Sequence, residues 1–544
     1  MTHRHWHTSY GNIPHEINPN AYRSVLDMME QSMRLYADFP AMRCLGLTLS
    51  YADLDRESRH LAAYLQNTLK IQKGDRIAIM TPNLLAFPIA LLAIIRIGAV
   101  QVNVNPMYTA RELEHQLNDA GVKTILVYNG VSATVAEIMP RTGLENIICI
   151  GTGDGSGIAL PGPLPDERIS NAISLAVALQ AGAELTFTPV AIYPDDLLFL
   201  QYTGGTTGIS KGAALTHRNL VANSEQFKAI MPDAVKPGQE VIVTALPLYH
   251  IFALMANFIT YFSVGAENWL VPNPRDMDKL IDTLKEARPT IITGVNSLFA
   301  ALASHPRAKE VDWTRLRLSG GGGSAIIKAV SDKWQALTGH FIREGYGLSE
   351  TSPILSFNPG SVKEFNGSTG LPLPSTDIIL LDDENREVAP GAAGEICAKG
   401  PQVMQGYWQQ PAANLASFTP DGYFRTGDIG VFDESGFLSI VDRKKDMIIV
   451  SGFNVYPNEI ESVVTSFDGV VECACVGIDD DKTGEAITLY VVRHASATLT
   501  ETDVIARCRA ELTNYKVPKI IHFVEELPKS TVGKILRREL RTLS

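Results

Sequence analysis

The sequence lacks a long uninterrupted hydrophobic run. Its most apolar stretch, residues 83–104 (NLLAFPIALLAIIRIGAVQVNV), is interrupted by Pro88 and stopped by Arg96 and Gly98. A membrane-spanning helix needs about 20 consecutive apolar residues, so we predict a buried helix followed by a buried strand. The N-terminus, MTHRHWHTSYG, also has no apolar signal segment. We expect a loose polar arm there, although its three histidines could bind a metal adventitiously.

Cysteine and basic charge are also sparse. The chain has six cysteines without a C-x-x-C pair, and Cys473 and Cys475 are too close for an ordinary disulfide. This usage indicates reduced thiols in a cytoplasmic protein. Lys and Arg number 47 against 59 Asp and Glu, which gives a net charge of −12. An acidic chain without a dominant basic block argues against nucleic-acid binding as its main role.

What the chain does have is a regular alternation of short strands and longer helices. DRIAIMT (75–81), GAVQVNVN (98–105) and KTILVYN (123–129) are typical of strands, and the helix ARELEHQLNDAG (110–121) ends in a glycine stop. Alternating βαβ units favour parallel sheets flanked by helices. With 544 residues the chain is long enough for two to four domains.

The pattern changes further along the chain. Residues 151–165 are a flexible connector by composition, and 169–183 predict one short amphipathic helix. After about residue 365, short strands, Gly/Pro turns and D-x-x-G hairpins predict a β-rich subdomain that extends to 442.

The predicted fold class is therefore α/β, with three parts. A large N-terminal domain (1–442) of mostly parallel sheets flanked by helices includes a small barrel-like β subdomain. A polar hinge (443–447) follows, and residues 448–544 form a small, mobile C-terminal α+β domain.

The segment QYTGGTTGISKGAALTH (201–217) has the composition of a phosphate-binding loop. A Walker loop places its lysine directly after the last glycine, whereas Lys211 comes three residues after Gly208 and Gly212 follows it. A surface turn is the simpler interpretation, but the strand-like LLFLQYT before the loop and the helix-like RNLVANSEQFKAI after it favour a phosphate cradle. Its candidate binding residues are Thr203, Gly204, Gly205, Thr206, Thr207, Gly208 and Lys211.

Five motifs occur together in one order along the chain. They are YTGGTTGISKG (202–212), EGYGLSET (344–351), YFRTGDIG (423–430), DRKKDM (442–447) and PKSTVGKILRREL (528–540). With these motifs the chain resembles the adenylate-forming superfamily of acyl-CoA synthetases, luciferases and peptide-synthetase adenylation domains. The segments 103–121, 244–254 and 421–445 are most similar to bacterial long-chain fatty acid–CoA ligases.

The resemblance implies a two-step reaction. A carboxylate attacks the α-phosphate of ATP and releases pyrophosphate, and the thiol of coenzyme A then cleaves the acyl-AMP. The loop would hold the departing β- and γ-phosphates, and Thr203 with Glu350 would hold Mg²⁺. The implied cofactors and co-substrates are ATP, Mg²⁺ and coenzyme A.

The resemblance also implies a nucleoside site. Tyr346 would stack on adenine, bordered by Glu344 and by the glycine strand at 319–324, and Asp428 would bind the ribose hydroxyls with Arg443 nearby. The remaining cofactor-binding candidates are Gly321, Gly322, Gly323, Gly347 and Ser349.

Three further residues are implied to act in the reaction itself. His250 would lie beside the acyl carboxylate, although a histidine in an apolar run can be plain core, and Lys534 would bridge the carboxylate and the α-phosphate. Lys534 could instead belong only to the basic helix that follows it. Lys445 matches the hinge position, and the face 451–459, with Gly452, would form the coenzyme A path after rotation.

The chain departs from the family pattern at a few positions. Gly204 stands where many relatives have Ser or Thr, and Ser210 stands where many have Pro. Leu254 stands where some long-chain relatives have a tryptophan gate. The apolar segments 251–262 and 291–302 could be tunnel walls or core.

These observations predict a long-chain fatty acid–CoA ligase that binds fatty acid, ATP and coenzyme A, with no nucleic acid. A medium-chain or branched-acid ligase, an acyl-AMP ligase that delivers to a carrier protein, and a non-catalytic sensor are the alternatives. The expected location is cytoplasmic. Peripheral contact with the inner face of the membrane and assembly into a homodimer are both left open.

Overall fold

The computed structural model describes residues 4–203, 210–451, 453–480, 483–494, 496–530 and 533–543. The α-helices of these residues are α1 (Val25–Leu35), α2 (Tyr51–Asn67), α3 (Ala86–Arg96), α4 (Ala110–Ala120), α5 (Ser132–Ile138), α6 (Leu175–Ala183), α7 (His217–Ile230), α8 (Met277–Ala287), α9 (Asn296–Ser304), α10 (Lys328–Thr338), α11 (Pro411–Ser417), α12 (Pro457–Thr465), α13 (Glu501–Glu511) and α14 (Arg537–Thr542).

The strands follow the same chain order. They are β1 (Pro40–Cys44), β2 (Leu47–Ser50), β3 (Arg76–Met80), β4 (Val100–Asn103), β5 (Thr124–Tyr128), β6 (Asn146–Ile150), β7 (Ile173–Ser174), β8 (Leu197–Thr203), β9 (Lys211–Thr216), β10 (Val241–Thr244), β11 (Glu267–Leu270), β12 (Ile291–Gly294), β13 (Leu318–Gly321), β14 (Arg343–Gly347), β15 (Ile354–Phe357), β16 (Leu371–Pro372), β17 (Asp377–Leu381), β18 (Gly394–Lys399), β19 (Phe424–Phe432), β20 (Leu438–Arg443), β21 (Ile448–Val450), β22 (Phe453–Val455), β23 (Val470–Asp480), β24 (Gly484–Arg493) and β25 (Ile520–Val524).

Two large sheets build the N-terminal part, in agreement with the predicted fold class. One has the order β7-β6-β5-β3-β4-β8-β9 and is parallel except at β8–β9. The other has the order β16-β15-β14-β13-β12-β10-β11-β1-β2 and is parallel from β14 to β1, with antiparallel pairs at both ends. Because parallel strands end at one edge of a sheet, the loops that follow the neighbouring strands β13 and β14 can contribute to one site. Strand β8 belongs to the other sheet, and it contacts the 3₁₀ helix Ser349–Thr351 that follows β14.

The largest hydrophobic cluster lies between these sheets. It includes Ile77 of β3, Phe199 of β8, Ile242 of β10 and Leu270 of β11, together with the whole of α3 except Pro88 and Arg96. Every residue of α3 and of β4 is buried, which confirms the buried helix and strand predicted for 83–104. Among the described residues, no helix combines the length and the hydropathy that a membrane crossing requires.

The predicted order of strand, loop and helix around the phosphate loop is wrong in one respect. A second strand, β9, follows the loop and pairs antiparallel with β8, with Thr203 opposite Lys211. Helix α7 begins only at His217, behind a capping box formed by Thr216 and Asn219. The loop therefore closes a hairpin, and the N-terminus of α7 is separated from it by the six residues of β9.

The loose polar arm predicted for the N-terminus is also wrong. Residues His5–Ser9 form a 3₁₀ helix, and Trp6 is 1% exposed because it stacks on Phe432 of β19. Arg4 adds an ion pair with Asp377 at 2.7 Å. The predicted helix at 169–183 starts later than expected, because β7 precedes it and the Ser174 side chain caps α6.

Two smaller antiparallel sheets complete the molecule. Strands β17-β18-β19-β20 form the β-rich subdomain, and the predicted D-x-x-G turn joins β19 to β20, where the Asp433 carboxylate accepts a hydrogen bond from Phe437 N. The C-terminal sheet has the order β22-β21-β24-β23, with β25 parallel to β24. All six cysteines are buried and free, as their spacing predicts.

Candidate active site

Glu350 lies in the short 3₁₀ helix Ser349–Thr351, which contacts both β8 and β9. Its carboxylate is buried, with 7% exposed, and Oε1 accepts a hydrogen bond of 2.8 Å from the Tyr407 hydroxyl. Burial raises the pKa of Glu350 and the nearby Asp428 charge adds to that rise, while the Tyr407 hydrogen bond opposes it. The predicted metal carboxylate is therefore held next to the phosphate-loop hairpin.

Thr203 is the last residue of β8 and Lys211 is the first residue of β9, on either side of the phosphate loop. They face each other across the β8–β9 hairpin, and the Lys211 ammonium lies over the Tyr407 ring, 5.2 Å from its centroid. The predicted residues Gly204, Gly205, Thr206, Thr207 and Gly208 lie outside the described residues, as does Gly452 of the coenzyme A face.

The predicted ribose carboxylate Asp428 contacts two other predicted residues. Its Oδ2 accepts a hydrogen bond of 2.7 Å from the Tyr346 hydroxyl, and its Oδ1 lies 3.4 Å from Arg443 Nε. Asp428 and Arg443 are opposite each other in the β19–β20 pair. Burial, then the Asp428 charge, holds the pKa of Tyr346 well above its usual value, so the tyrosine remains a hydrogen-bond donor.

At the predicted glycines, neighbouring protein atoms lie close to the backbone at this edge of the second sheet. A Cβ on Gly347 would lie 1.9 Å from the Pro353 carbonyl oxygen, and one on Gly321 would lie 2.7 Å from Ile342. Gly323 has a φ of +78°, which favours glycine. Gly322 lies beside the Phe252 ring, which would be 3.5 Å from an added Cβ.

Glu344 is buried behind this glycine segment. Its Oε1 accepts a hydrogen bond of 2.9 Å from Ile326 N. Burial raises the pKa of Glu344 to about 7, against the effect of that hydrogen bond. A carboxyl group that is partly protonated at neutral pH can both donate and accept beside a nucleobase.

Lys534 comes from the C-terminal domain and reaches the site of the N-terminal domain. Burial is the main cause that lowers its pKa to about 7; the Arg443 charge lowers it further, whereas Asp428 raises it. His250 is close enough that the Lys534 charge, added to a larger effect of burial, lowers the pKa of the imidazole to about 4. His250 is therefore neutral at pH 7 and does not repel the Lys534 ammonium.

A tight turn presents Lys534. Its backbone N–H donates to Ser530 Oγ at 3.1 Å, its carbonyl accepts from Ser530 N at 2.7 Å, and residues 529 and 535 form a bridge. Gly533 has a φ of +76°, and a Cβ there would lie 2.9 Å from Ser297 Oγ and 3.1 Å from Val295 Cγ2. The turn thus packs directly on Val295, which joins β12 to α9, and on Ser297 in the first turn of α9.

Lys445, predicted as the hinge residue, also lies near the cationic side chains of Arg443 and Lys534. Its ammonium is buried and has no hydrogen-bond partner among the described residues. Burial, then the charge of Arg443, lowers its pKa to about 8.

Ion pairs connect α14 with the end of β20. Arg537 contacts Glu461 Oε2 and Asn458 Oδ1, each at 2.8 Å, and lies 3.9 Å from Asp442 Oδ1. Asn458 N donates to Asp442 Oδ2 at 2.8 Å. This hinge cluster of Arg537, Glu461, Asn458 and Asp442 fixes the segment after Lys534 relative to the predicted hinge.

The residues present fit a magnesium ion that also binds ATP phosphates. Glu350 supplies a buried carboxylate whose second oxygen receives no side-chain hydrogen bond from the described residues, and Thr203 supplies a hydroxyl. The described residues contain no group of three or more His, Cys, Asp or Glu that could hold a metal by themselves. Mg²⁺ commonly takes one or two protein ligands with substrate phosphates and water.

Sequence reasoning missed two features of this site. Tyr407 touches both Glu350 and Lys211, but its segment, QGYWQQP, contains nothing that marks it as chemical. A chain of buried amides also runs from Asn103 through Gln201 to the Tyr249 carbonyl, next to His250. Only the parallel pairing of β4 with β8 brings these amides together.

The chain is similar to known proteins over nearly its whole length. Residues 29–408, more than half of the chain, match the model described as AMP-binding enzyme, and residues 459–534 match AMP-binding enzyme C-terminal domain. A long-chain-fatty-acid–CoA ligase of Escherichia coli O6:H1 is 48% identical, covering 98% of this chain and 97% of its own. One of Bacillus subtilis is 36% identical, covering 98% and 97%.

A solved structure is similar in fold and in sequence. The crystal structure of ATP-bound MatB from Rhodopseudomonas palustris superposes with a TM-score of 0.84 at 31% identity, covering 95% of this chain and 98% of that one. The chain belongs to the AMP-binding enzyme family.

Proposed function

We propose that this protein is an AMP-forming long-chain fatty acid–CoA ligase, which joins a fatty acid to coenzyme A through an acyl-adenylate. The observation that carries the proposal is the docking of the turn that presents Lys534 against Val295 and Ser297 of the N-terminal part. This docking brings the lysine close enough for its charge to act on His250. The names and the high identity of the long-chain-fatty-acid–CoA ligases among its relatives support the choice of acid and thiol.

In the first half-reaction, a fatty-acid carboxylate oxygen forms a bond to the α-phosphorus of ATP, and the bond to the bridging oxygen of the β-phosphate breaks. Lys534 contacts the α-phosphate and the incoming carboxylate, where negative charge accumulates, and neutral His250 orients the carboxylate. Thr203, Lys211 and the loop between them hold the leaving pyrophosphate. Mg²⁺, held by Glu350 and Thr203 with the phosphates, would neutralise charge on the triphosphate.

In the nucleoside site, Asp428 accepts hydrogen bonds from the ribose hydroxyls. Tyr346 and the glycines after β13 enclose adenine, because the absence of side chains there lets a flat ring approach the backbone. Glu344 lies at the end of this surface and closes it.

In the second half-reaction, the thiol of coenzyme A loses its proton to water and its sulfur forms a bond to the acyl carbon. AMP leaves with the electron pair of the broken C–O bond. Lys534 must leave so that the thiol can enter. We propose that the C-terminal domain rotates about residues 443–447, with Lys445 at the hinge, and that the face 451–459 with Gly452 then borders the pantetheine path.

Coupled product analysis tests the proposal. Incubation with ATP, Mg²⁺ and palmitate should release pyrophosphate slowly and AMP only when coenzyme A is added. Accumulation of acyl-AMP that coenzyme A does not consume would favour transfer to a carrier protein. Absence of pyrophosphate–ATP exchange with any fatty acid would favour a sensor and would contradict the enzyme.

Two finer predictions concern partners. We propose that the enzyme takes its acid at the inner face of the cytoplasmic membrane and works as a homodimer. Co-sedimentation with phospholipid vesicles and light scattering measure these two properties separately. Retention in the supernatant and a monomer mass would contradict them without affecting the reaction.

A further inference from the structure

Tyr407 touches the predicted metal carboxylate and the predicted phosphate lysine at the same time. Its hydroxyl donates to Glu350 Oε1 at 2.8 Å, and its ring lies under the Lys211 ammonium at 5.2 Å. The two partners come from segments about 140 residues apart, and Tyr407 belongs to a third segment, between β18 and α11. A single side chain thus bridges the two positions that must hold one triphosphate.

The backbone of Tyr407 is fixed independently of its side chain. Residue 407 forms an antiparallel bridge with Ala213 of β9, and Tyr407 N donates to Asn414 Oδ1 at 2.6 Å. Trp408 N donates to the Gly212 carbonyl, and Met404 N donates to the Glu350 carbonyl, each at 2.8 Å. These backbone contacts hold the segment in place without the Tyr407 side chain. The hydroxyl and the ring are therefore not needed to position the segment, and they contact Glu350 and Lys211 instead.

The two contacts have different consequences for a triphosphate. A hydroxyl that donates to one carboxylate oxygen fixes the carboxylate plane and leaves Oε2 for a cation. The ring face attracts the exposed lysine and restricts where its flexible chain can place the charge. The hydroxyl therefore acts on the metal side of the triphosphate, and the ring acts on the phosphate side.

We propose that Tyr407 is a positioning residue that presets Glu350 for Mg²⁺ and Lys211 for the β- and γ-phosphates before ATP arrives. This inference rests on the proposed function, since it concerns the same ATP site. It adds a residue that fixes the position of Glu350 relative to Lys211.

Equilibrium binding of ATP by titration calorimetry, without fatty acid or coenzyme A, tests the proposal. It compares Mg²⁺ with EDTA for the wild type, Tyr407→Phe and Tyr407→Leu. Tyr407→Phe keeps the ring, so it should weaken binding in Mg²⁺ about tenfold and change binding in EDTA less than twofold. Tyr407→Leu removes both contacts, so it should also weaken binding in EDTA, by about threefold to tenfold.

A Lys211→Met background separates the two contacts. If the ring acts through the lysine, Tyr407→Leu should cause no further loss of binding in EDTA when Lys211 is already replaced. Tyr423→Phe is the matched control, because it removes another hydroxyl–carboxylate bond, to Asp377 at 2.6 Å, outside the site. Its ATP affinity should equal that of the wild type under both conditions.

The outcomes separate this inference from the proposed function. If the wild type gains no ATP affinity from Mg²⁺, the metal site of the proposed function is wrong. If the wild type gains affinity and Tyr407→Phe gains the same amount, Tyr407 does not preset the carboxylate. If both variants lower the melting temperature and both affinities in parallel, the tyrosine is structural and the inference is overturned.

Discussion

Gly347 illustrates how one residue limits the shape of the site. An added Cβ would lie 1.9 Å from the Pro353 carbonyl oxygen, which is a backbone atom and cannot rotate away. Gly347→Ala should therefore displace the strand that carries Tyr346 and cost about 1–3 kcal/mol of stability. ATP affinity, measured by calorimetry, should fall at least tenfold.

Gly360→Ala is the control for this change, since an added Cβ at Gly360 meets nothing within 4 Å. Its melting temperature and ATP affinity should match those of the wild type. Wild-type affinity in Gly347→Ala would show that the close approach at Gly347 does not shape the nucleoside site.

The protonation of Lys534 gives a second prediction for a single residue. Its pKa of about 7 means that the lysine of the ATP-free protein is mostly neutral at pH 8 and mostly charged at pH 6. Bound phosphates favour the charged form. ATP binding should therefore take up close to one proton at pH 8 and much less at pH 6.

Calorimetry in buffers of different ionisation enthalpy measures this uptake. Lys534→Met should remove the difference between the two pH values. The same uptake in the variant as in the wild type would mean that another group takes the proton.

A place in the site could be predicted for an individual side chain only where the residue belongs to a sequence motif. Asp428, Arg443 and Tyr346 were singled out from three separate motifs, and they contact one another. Tyr407 could not be found this way, because its two partners lie far away in sequence. Its role depends on the pairing of its segment with β9, which no local pattern encodes.

At the scale of elements, the turn that carries Lys534 packs against the start of α9 and the residue before it. Gly533 is in the left-handed region, and its added Cβ would touch Ser297 and Val295. Gly533→Ala should weaken docking of the turn and slow adenylation about tenfold, measured as pyrophosphate–ATP exchange. Conversion of supplied acyl-AMP to thioester should stay within twofold, because that step does not use the docked turn.

Gly484→Ala is matched to this variant, since Gly484 has a similar φ of +80° but its added Cβ would lie 3.5 Å from the Ile449 carbonyl, within the C-terminal domain. It should leave both half-reactions near wild type. An equal loss of both steps in Gly533→Ala would argue for general misfolding of the small domain.

Docking of this turn should also depend on pH. An exposed lysine has its ordinary pKa of 10.5, whereas docked Lys534 has a pKa of about 7. Between these values the undocked form binds more protons, so raising the pH from 7 to 10 should favour docking. Limited proteolysis of the ATP-free protein within 528–540 should become slower over this range, and Lys534→Met should remove the dependence.

Most elements followed from periodicity, and the exceptions have physical causes. Helix α4, with its Thr109 cap and Gly121 stop, carries its own boundary signals. The six residues KGAALT carry none, and they form β9 only because β8 offers an edge for pairing. The N-terminal segment reads as polar, yet Trp6 finds an apolar partner in Phe432, more than 400 residues later.

For the whole molecule, the acyl chain length that the enzyme prefers depends on how much apolar surface surrounds the chain. Segment 251–262 contains a buried π-helix, Ala253–Thr260, in which Leu254 is fully buried. Segment 291–302 contains β12 and most of α9. If an acyl chain is buried among such residues, each methylene should add about 0.8 kcal/mol. Across saturated acids, kcat/KM should rise at least tenfold from eight to sixteen carbons.

A flat or inverted profile across that series would leave the adenylation chemistry intact and contradict the long-chain assignment. The mostly parallel character of the two large sheets was predictable because repeated βαβ units leave few alternatives, whereas no local pattern indicated their strand orders. The two-part organisation stays a prediction. The boundary at 443–447 stays a prediction, although the hinge cluster around Arg537 lies beside it.

The most direct test of the central claim is the behaviour of Lys534→Ala in the two half-reactions measured separately. Pyrophosphate–ATP exchange with palmitate should fall at least a hundredfold, because the lysine supplies charge where the transition state gains it. Formation of palmitoyl-CoA from supplied palmitoyl-AMP should stay within threefold of wild type. An equal loss of both steps in a folded variant, or full retention of exchange, would contradict the account.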